Sequence, residues 1–526
     1  MPRVLVSDKL AKEGIEILKK VAEVDVITGL PEDELCGIIG DYDALVIRSG
    51  TTVTAKVLGA ASKLRIIGRA GVGVDNVDVP VATERGVIVV NSPGGNTLAA
   101  AELSVAMLLA LSRNIPQAYC SMLKKEWNRS KYTGNELYAK TLGILGVGKI
   151  GQEVAKRCQA FEMKVIAYDP FIGKDAAAAL GVELVELEDC LKKSDYISLH
   201  LPKNKDTLGM IGAKQFEMMK DGVRIVNCAR GGIIDDAALA EALKSGKCAG
   251  AALDVYVTEP PDFSGELFSL PNVITTPHLG ASTEEAQINV AIDVAEQIVD
   301  VFQGRSARSA VNLPALSPEV LAQVQPYLPL AEKMASLAAQ TTEGRPSQIA
   351  IGYCGELAAT ETGPITRSVL VGLLRPVLGE TVNPVNAPVI AKARGIEVVD
   401  TKTADSTDYA SLLTVTVKTD KGANEIVGTL FGTKDLRVVS MGGFPVDLVP
   451  EGFMLVAAHI DKPGMIGRVG TILGEKGINI ASMHVGRKTA GKQAIMVLNV
   501  DSSVPDGVLK EIAGVPGIDS VKLVQL

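Results

Sequence analysis

The chain has 526 residues, of which 47% are hydrophobic and 22% are charged, and its formal net charge is -8. This length is too great for one hydrophobic core and predicts roughly three or four domains. The acidic balance argues against a broad nucleic-acid surface, although a local basic cluster would still suit a small anionic substrate.

The seven cysteines are scattered, without a CxxC pair and without clustering near the four histidines. This pattern favours reduced cytoplasmic thiols over a disulfide framework or a zinc site, so we expect no metal. The opening run MPRVLVSDKL lacks a signal-peptide profile. The apolar run at 98–111 is too short to span a bilayer and contains Glu102, so it predicts a buried helix and no membrane partner.

Residues 1–96 alternate between strand-like runs, such as VLVSD, ALVIRS and VIVVN, and amphipathic segments such as KEGIEILKK. This alternation predicts βαβ units and a parallel sheet. Residues 97–282 repeat the pattern after a long helix and predict a second, larger parallel sheet. The helical stretch EEAQINVAIDVAEQIVDVF follows, and we expect residues 283–313 to pack back on the first unit.

Residues 314–450 mix helix-like AEKMASLAAQ with strand-like LLTVTVKTD and predict an α/β domain without recognisable chemistry. Residues 451–526 run strand, helix, strand, strand, helix, strand, which is the ferredoxin-like order. The predicted fold class is therefore α/β. It combines two parallel-sheet units of flavodoxin-like or Rossmann type, an intervening α/β domain and a C-terminal ferredoxin-like domain.

The hexapeptide GVGKIG at 146–151 matches G-x-G-x-x-G between a predicted strand and a predicted helix. Its glycines permit a tight turn and the close approach of a pyrophosphate to the helix N-terminus. Asp169 ends the next strand, where a carboxylate suits the adenosine ribose diol and disfavours a 2′-phosphate. The motif predicts NAD as cofactor, and a glycine turn used only for packing is the alternative.

Three polar residues, Arg230, Glu259 and His278, follow predicted strands of the same block. Because the carboxyl ends of parallel strands meet at one edge of a sheet, we expect them to face one crevice. A histidine can exchange a proton, a carboxylate can orient its ring, and an arginine can grip a substrate carboxylate. Taken singly, each residue equally suits a surface or capping role; behind an NAD motif, the set favours catalysis.

The motifs NCARGG, VTEPP and TPHLGAS, together with GVGKIG and YDP, resemble those of the D-isomer-specific 2-hydroxyacid dehydrogenases. VIRSGTTVT, GRAGVGVDNVD and SPGGNTLAAAELS extend the resemblance through the first third of the chain. The two C-terminal domains resemble an intervening domain of the allosteric substrate-binding type and an ACT regulatory domain. The resemblance implies an enzyme whose catalytic residues are Arg230, Glu259 and His278.

The resemblance also implies which residues bind the cofactor, with Asp254 beside the nicotinamide carboxamide. The set comprises Gly146, Gly148, Lys149, Ile150, Gly151, Asp169, Pro202, Cys228, Ala229, Arg230, Asp254, His278 and Gly280. Gly231 and Gly232 are expected to leave room for ligand and cofactor.

The implied reaction is the oxidation of 3-phospho-D-glycerate to 3-phosphohydroxypyruvate, the first step of serine synthesis. A phosphorylated acid needs cations beyond the catalytic arginine. Arg48 and Arg69 follow strands of the first unit and are expected to bind the phosphate. Arg129 and Lys131 lie on a segment that, in similar enzymes, approaches the neighbouring subunit's site, and Asn96 belongs to a loop with neutral donors. Surface solvation is the alternative for the arginines and the lysine.

His459, Asp461 and Asn479 match ACT positions that contact serine in similar enzymes. They imply serine as an effector and a homo-oligomer, expected as a tetramer; a structural role at helix and strand starts is the alternative. Two other functions stay open. One is a reductase of glyoxylate, hydroxypyruvate or another 2-oxo acid, and the other is a non-catalytic NAD- or amino-acid-sensing regulator, against which the complete catalytic set speaks.

Overall fold

The computed structural model describes residues 1–314, 317–405 and 408–526. These residues form two parallel sheets, a mixed sheet and an antiparallel sheet, with helices packed on them. The predicted α/β fold class is confirmed.

The first sheet has the strand order β2-β1-β3-β4-β5, which is the flavodoxin-like order, and its strands are parallel. The strands are β1 Arg3–Val6, β2 Glu23–Val26, β3 Ala44–Ile47, β4 Ile66–Arg69 and β5 Ile88–Asn91. The helices are α1 Lys12–Lys19, α2 Glu32–Ile38, α3 Ala55–Ala60 and α4 Val79–Glu84. Arg48 follows β3 and Arg69 ends β4, so both lie at the carboxyl edge where such sheets bind ligands.

The second sheet has the order β12-β11-β10-β9-β6-β7-β8, which is the Rossmann order extended by one edge strand. Helices α5 Thr97–Arg113 and α6 Ile115–Leu123 precede it. Its strands are β6 Thr141–Leu145, β7 Lys164–Tyr168, β8 Glu183–Leu184, β9 Tyr196–Leu199, β10 Val223–Asn227, β11 Cys248–Leu253 and β12 Val273–Thr275. Its helices are α7 Lys149–Ala160, α8 Lys174–Ala179, α9 Leu187–Lys193, α10 Ala213–Met218 and α11 Asp236–Lys244.

Helix α12, Glu284–Phe302, follows the second sheet but packs on the first. Its buried residues Val294 and Ile298 share a core with the strands of the first sheet. At Gly68, a side-chain Cβ would lie only 2.4 Å from the Cγ1 of Val294, so a glycine is needed for this close approach. Beyond the helix, Asn312 accepts the backbone N–H of Val89 at 3.0 Å and ties the linker to the same sheet.

The mixed sheet has the order β14-β13-β15-β16-β17-β18, in which only the β13–β14 pair is parallel among the described pairings. Its strands are β13 Pro346–Gly355, β14 Glu397–Thr403, β15 Ser411–Thr419, β16 Gly422–Phe431, β17 Asp435–Met441 and β18 Phe444–Leu448. The helices are α13 Pro318–Val324, α14 Tyr327–Thr341, α15 Gly363–Leu378 and α16 Ala387–Ala393. Helices α14 and α15 cross closely at Gly372, where a Cβ would lie 1.9 Å from the backbone oxygen of Glu332.

The C-terminal sheet has the antiparallel order β20-β21-β19-β22 of a ferredoxin-like fold. Its elements are β19 Phe453–Ile460, α17 Met465–Glu475, β20 Ile480–Arg487, β21 Gln493–Val500, α18 Asp506–Ala513 and β22 Ile518–Gln525. One face packs on α17 and α18, with Leu455, Val469 and Ile512 buried between them. Residues of the opposite face, including Met454 and Val497, belong to the hydrophobic core of the mixed sheet.

Helix α5 is largely buried, with Ala101 and Leu108 in the core of the second sheet. Within the described residues, no single helix has both the length and the apolar character needed to cross a membrane. Helices α5 and α6 meet those two criteria only as a pair, and the chain bends by 64° between them.

Candidate active site

The glycine loop at 146–151 connects β6 to helix α7, and its three motif glycines have different surroundings. Gly146 has φ +96°, and a Cβ there would lie 2.6 Å from the backbone oxygen of His200. A Cβ on Gly151 would lie 2.1 Å from the oxygen of Gly146. By contrast, a Cβ on Gly148 would meet no atom within 4 Å. The loop therefore packs tightly at both ends and leaves open space at its centre, which fits the pyrophosphate of a dinucleotide.

Asp169 lies directly after β7, where the sequence placed a ribose-binding carboxylate. Its Oδ2 accepts the backbone N–H of Val147 at 2.7 Å, and its Oδ1 accepts that of Phe171 at 2.8 Å. The carboxylate therefore braces the glycine loop, a role that the motif did not predict. Because each carboxylate oxygen has more than one acceptor site, capacity remains for the ribose hydroxyls.

Other residues of the expected cofactor set occupy the same edge of the second sheet. The backbone oxygen of Pro202 accepts the hydroxyl of Thr207 at 2.6 Å. The backbone N–H of Ala229 donates to Asn227 at 3.0 Å. The thiol of Cys228 lies 3.5 Å from the sulfur of Met107, and burial raises its pKa to about 12, so it remains protonated near neutral pH.

His278 and Glu259 form a direct pair. Nδ1 of His278 lies 2.6 Å from a carboxylate oxygen of Glu259, whose other oxygen accepts the N–H of Tyr256 at 3.1 Å. Burial acts to raise the pKa of Glu259, but the hydrogen bond and charge of His278, with the Tyr256 bond, hold that pKa below its ordinary value. An ionised Glu259 accepts the Nδ1 proton, which leaves Nε2 of His278 free to take a proton from a substrate.

Asp254, which is fully buried, holds the turn that carries His278. It accepts the hydroxyl of Thr276 at 2.6 Å, the N–H of Leu279 at 2.7 Å and the N–H of Gly280 at 2.9 Å. His278 itself has φ +54°, a left-handed conformation that a non-glycine residue adopts only where its neighbours enforce it. These bonds were not anticipated, and the expected contact of Asp254 with the nicotinamide stays a prediction.

Arg230 reaches across from the second sheet unit to the first. Its Nε lies 3.0 Å from Oδ2 of Asp75, and its Nη1 donates to the backbone oxygen of Ala229 at 2.7 Å. Asp75 belongs to the loop after β4 and was not singled out from the sequence. This ion pair brings the loop after β4 and the end of β10 to one crevice between the two parallel sheets.

One of the two glycines behind Arg230 has a packing role that was not expected. A Cβ on Gly231 would lie 1.8 Å from the backbone oxygen of Tyr256, and Gly232 has φ +85°. Gly231 is therefore needed for a close crossing with the segment that leads to Glu259. It packs the two catalytic segments together, and the expectation that both glycines leave room for ligand and cofactor stays a prediction.

Arg48, Arg69 and Arg230 form an arginine cluster. Burial lowers the pKa of Arg69 to about 10; the charges of Arg230 and Arg48 add to this effect, whereas Asp75 and Asp8 oppose it. The Nε of Arg69 is buried and has no hydrogen-bond partner among the described residues. The cluster therefore carries positive charge that these carboxylates do not fully neutralise.

The loop at 71–73 clears space for this arginine cluster. A Cβ on Gly71 would lie 1.8 Å from Nη1 of Arg69, and one on Gly73 would lie 1.9 Å from Nη2 of Arg230. The glycines of GRAGVGVD therefore let two guanidinium groups lie against the backbone. Spacing alone could not reveal this, because one of the two arginines comes from the other sheet.

The loop at 92–97 carries several buried polar atoms without a partner in the described part of the chain. They are Oγ of Ser92, Oδ1 of Asn96 and Oγ1 of Thr97. The ammonium of Lys149 lies close to Gly94, because a Cβ placed on this glycine would be 3.7 Å from it. Asn96 and the backbone amides of Gly94 to Thr97 were expected as neutral donors, whereas the hydroxyl groups of Ser92 and Thr97 were missed although they belong to the quoted SPGGNT motif.

Arg129 and Lys131 occupy an exposed segment after α6. The ammonium of Lys131 lies 5.6 Å from the ring of Tyr132, and among the described residues no hydrogen bond or ion pair links either cation to the arginine cluster. The preceding surface is strongly apolar. Tyr119, Leu123 and Trp127 are 63%, 66% and 77% exposed, which is unusual for side chains of this size.

The expected effector residues occupy the end of β19 and the start of β20. His459 is buried; its Nδ1 bonds the oxygen of Ile460 at 3.0 Å, and its Nε2 has no partner among the described residues. Asp461 already accepts Arg487 at 2.9 Å, and Asn479 donates to Asp501 at 2.8 Å. Of these three residues, His459 is the one with a buried polar atom that lacks a partner among the described residues.

Three segments of the chain match known family models. Residues 105–280 match the family described as D-isomer specific 2-hydroxyacid dehydrogenase, NAD binding domain. Residues 323–442 match the D-3-phosphoglycerate dehydrogenase intervening domain, and residues 454–517 match the ACT domain. The chain is 47% identical to the D-3-phosphoglycerate dehydrogenase of Methanocaldococcus jannaschii, with both chains covered completely.

The chain belongs to the D-3-phosphoglycerate dehydrogenase family. A second member, from Synechocystis, is 48% identical over 100% of this chain and 95% of its own. This member of the D-3-phosphoglycerate dehydrogenase family is an NAD-dependent oxidoreductase, as predicted.

Solved structures match the catalytic half. A D-lactate dehydrogenase from Aquifex aeolicus, complexed with NAD and lactic acid, is 27% identical with a TM-score of 0.54 and covers 60% of this chain and 100% of its own. A glyoxylate reductase from Paecilomyes thermophila is 30% identical with a TM-score of 0.55 and covers 59% and 98%. The arrangement of two parallel sheets is therefore common to this chain and to 2-hydroxyacid dehydrogenases that are less similar to it in sequence.

Proposed function

We propose that the protein oxidises 3-phospho-D-glycerate to 3-phosphohydroxypyruvate with NAD, the first step of serine synthesis. The observation that carries this proposal is the arginine cluster of Arg48, Arg69 and Arg230. A 2-hydroxy acid with one carboxylate needs one of these cations. The other two, one of them partly buried, suit a second anionic group such as a phosphate.

In the proposed mechanism, Arg230 binds the substrate carboxylate and polarises the C2 oxygen. Nε2 of His278 takes the C2 hydroxyl proton as the C2–H bond breaks and the carbonyl forms. Bound NAD supplies the acceptor for the hydride that leaves C2. Glu259 stabilises the imidazolium that results, since its carboxylate already lies 2.6 Å from Nδ1.

The residues that hold the cofactor are those of the glycine loop, with Asp169 at the ribose. Gly148 supports this assignment because its surroundings are open on the side where a side chain would project. Arg48 and Arg69 anchor the phosphate, and the buried atoms of Ser92, Asn96 and Thr97 offer neutral hydrogen-bonding groups nearby. The remaining residues of the predicted cofactor set are also proposed to bind NAD.

We propose that this chain has the domain division that the sequence predicts. The substrate-binding domain comprises 1–96 and 283–313, and the NAD-binding domain comprises 97–282. The intervening domain spans 314–450 and the ACT domain 451–526. The packing of α12 on the first sheet supports the discontinuous first domain.

We propose that the working form is a homo-oligomer, a tetramer, in the cytoplasm. The exposed apolar surface on α6 and the segment after it supports self-association, because Tyr119, Leu123 and Trp127 are large and exposed to a degree that is unusual for an isolated surface. Arg129 and Lys131 follow this surface and would then lie near the neighbouring subunit. Sedimentation analysis of Leu123→Glu tests the assembly, with a smaller species expected.

We propose serine as an effector of the ACT domain. The support is His459, whose buried Nε2 lacks a partner among the described residues, at the family's ligand position. Serine titration of the His459→Phe variant tests this role, and unchanged serine sensitivity would refute it.

The deciding experiment for the reaction is an NADH-consumption assay with purified protein. It compares 3-phosphohydroxypyruvate with hydroxypyruvate, glyoxylate and pyruvate, each at matched concentrations. A strong preference for the phosphorylated acid is expected. Equal or better activity on the other acids would favour the alternative 2-oxo acid reductase, and no activity on any would favour a non-catalytic regulator.

A further inference from the structure

An open groove of about 580 Å³ lies on the intervening domain, lined by residues outside the candidate active site. Helices α15 and α16 and the edge strand β14 form its walls. Leu370, Pro388, Ile396 and Val398 give it an apolar lining. Its charged lining comprises Lys392 and Glu397, which are exposed, and Arg367 and Asp400, which hydrogen bonds hold in place.

The first of these charged groups is Arg367 on α15, which is partly buried. Its Nη1 donates to the backbone oxygen of Pro384 at 2.8 Å, which fixes one side of the guanidinium. No carboxylate of the described residues pairs with it within 4.0 Å, and burial lowers its pKa. The remaining guanidinium donors therefore face the groove without an anionic partner.

The second charged group is Asp400 on β14, which a relay of hydroxyl groups holds in place. Thr366 donates its hydroxyl hydrogen to the carboxylate at 2.9 Å, and the hydroxyl of Tyr353 lies 2.8 Å from that of Thr366. Since Thr366 has only one hydrogen to donate, Tyr353 donates to it. Tyr353 is fully buried, so the relay is anchored in the core.

Asp400 also lacks a cationic partner within 4.0 Å among the described residues. Although Asp400 is an exposed residue, burial of its carboxyl group raises its pKa, and the Thr366 bond and the charge of Lys402 only partly oppose this effect. Each carboxylate oxygen retains acceptor capacity beyond the Thr366 bond. The groove thus presents an uncompensated cation and an uncompensated anion that do not neutralise each other.

We propose that this groove binds an α-amino acid, whose carboxylate pairs with Arg367 and whose ammonium pairs with Asp400. A simple anion would gain from Arg367 but be repelled by Asp400, and a simple cation would meet the reverse. A zwitterion satisfies both groups at once. The apolar lining then receives an uncharged side chain.

A ligand in this groove would lie beside a contact between the intervening domain and the first domain. The Arg367 bond to Pro384 fixes the loop before α16, and in that loop Asn383 donates to the backbone oxygen of Gly86 at 2.9 Å. Gly86 has φ +75°, and a Cβ there would lie 2.3 Å from Nδ2 of Asn383. Gly86 leads into β5, whose last residue, Asn91, donates to the loop beside the arginine cluster.

The test is calorimetric titration of the full-length protein with L-alanine, L-serine and L-valine. Propionate and ethylamine serve as matched probes that each lack one charge. Binding of an amino acid but of neither probe is expected. Arg367→Gln and Asp400→Asn should each weaken that binding about tenfold or more, since each removes one charged hydrogen-bonding partner. Arg394→Gln, an exposed change at the end of α16, is the matched control and should bind normally.

Serine can also bind at the ACT site, so the Asp461→Asn variant, which changes that site, separates the two and should retain the binding of L-alanine and L-valine. Loss of binding in Asp461→Asn alone would overturn the proposal, as would no binding of any amino acid up to about 10 mM. Propionate or phosphate binding that Arg367→Gln abolishes and Asp400→Asn leaves intact would make the groove a simple anion site and refute the zwitterion. Thermal melting confirms that each variant is folded. Because the readout is binding, the result is independent of the proposed reaction.

Discussion

The two halves of the chain organise their hydrophobic cores differently. In residues 1–314, the two parallel sheets keep separate cores, and the arginine cluster and the His278–Glu259 pair lie at the carboxyl edges between them. In the C-terminal half, one core runs from the mixed sheet into the ACT sheet. Separate cores leave a polar crevice that a substrate can enter, whereas a shared core leaves only grooves at its periphery.

The largest expected effect tests whether the crevice is catalytic. His278→Ala removes the proton acceptor, and we expect turnover to fall by about a hundredfold or more. NADH-consumption kinetics measure this, and NADH titration checks that cofactor binding is retained. His484→Ala, in the ACT domain, is the matched histidine control and should keep near-normal turnover. Normal turnover in His278→Ala would remove the crevice from the mechanism.

The next effect tests what the arginine cluster recognises. Arg69→Gln should raise the KM for 3-phosphohydroxypyruvate roughly tenfold or more, because a buried charged partner of the phosphate is lost. The KM for hydroxypyruvate should change little, since that acid has no phosphate. Arg113→Gln, an exposed change on α5, is the control. Equal increases for both acids would assign Arg69 to the carboxylate or to folding instead.

Much of the catalytic half could be predicted from local sequence patterns. The glycine loop, Asp169 and the strand-end positions of Arg230, Glu259 and His278 could be predicted because strand periodicity and glycine spacing act over short distances. Asp75, Ser92 and the bonds of Asp254 could not, because they depend on segments that meet only after folding. The same reason hid the role of Gly231, whose crowding comes from the backbone of Tyr256.

In the C-terminal half, the order of strands and helices predicted the ferredoxin-like fold. It did not predict that the second face of that sheet shares a core with α14, because alternation shows that a face is buried without showing what covers it. For the same reason, the groove beside Arg367 and Asp400 was missed. Its charged residues come from a helix and a strand that are far apart in the sequence.

A third prediction tests the shared core. Ile495→Val removes one methylene from the ACT face that packs on the mixed sheet, and we expect a loss of about 1 kcal/mol in unfolding free energy. Hydrogen exchange should then quicken in both α14 and the ACT strands. Ile512→Val, on the helical side of the ACT sheet, is the matched control. Faster exchange confined to the ACT domain in both variants would mean that the cores are energetically separate.

The smallest expected effect concerns the pH dependence of the Glu259–His278 pair. The folded structure holds the pKa of Glu259 below its ordinary value, so the pair stabilises the protein above the unfolded pKa of the carboxyl group. This stabilisation is lost as the pH falls through the lower, folded pKa. The Tm of Glu259→Gln should therefore lie below that of the wild type near pH 7, and the difference should shrink below about pH 4.

Scanning calorimetry across this pH range measures the difference, with Glu285→Gln as an exposed control for which the described residues offer no ion pair. A Tm difference that grows in acid would mean that burial, which acts in the opposite direction, dominates at Glu259. Such a result would mean that Glu259 loses its charge at a higher pH than an ordinary glutamate does, so in that acidic range it would no longer orient the ring of His278 as a carboxylate. The crevice between the separate cores would then need another group to hold the tautomer that accepts the substrate proton.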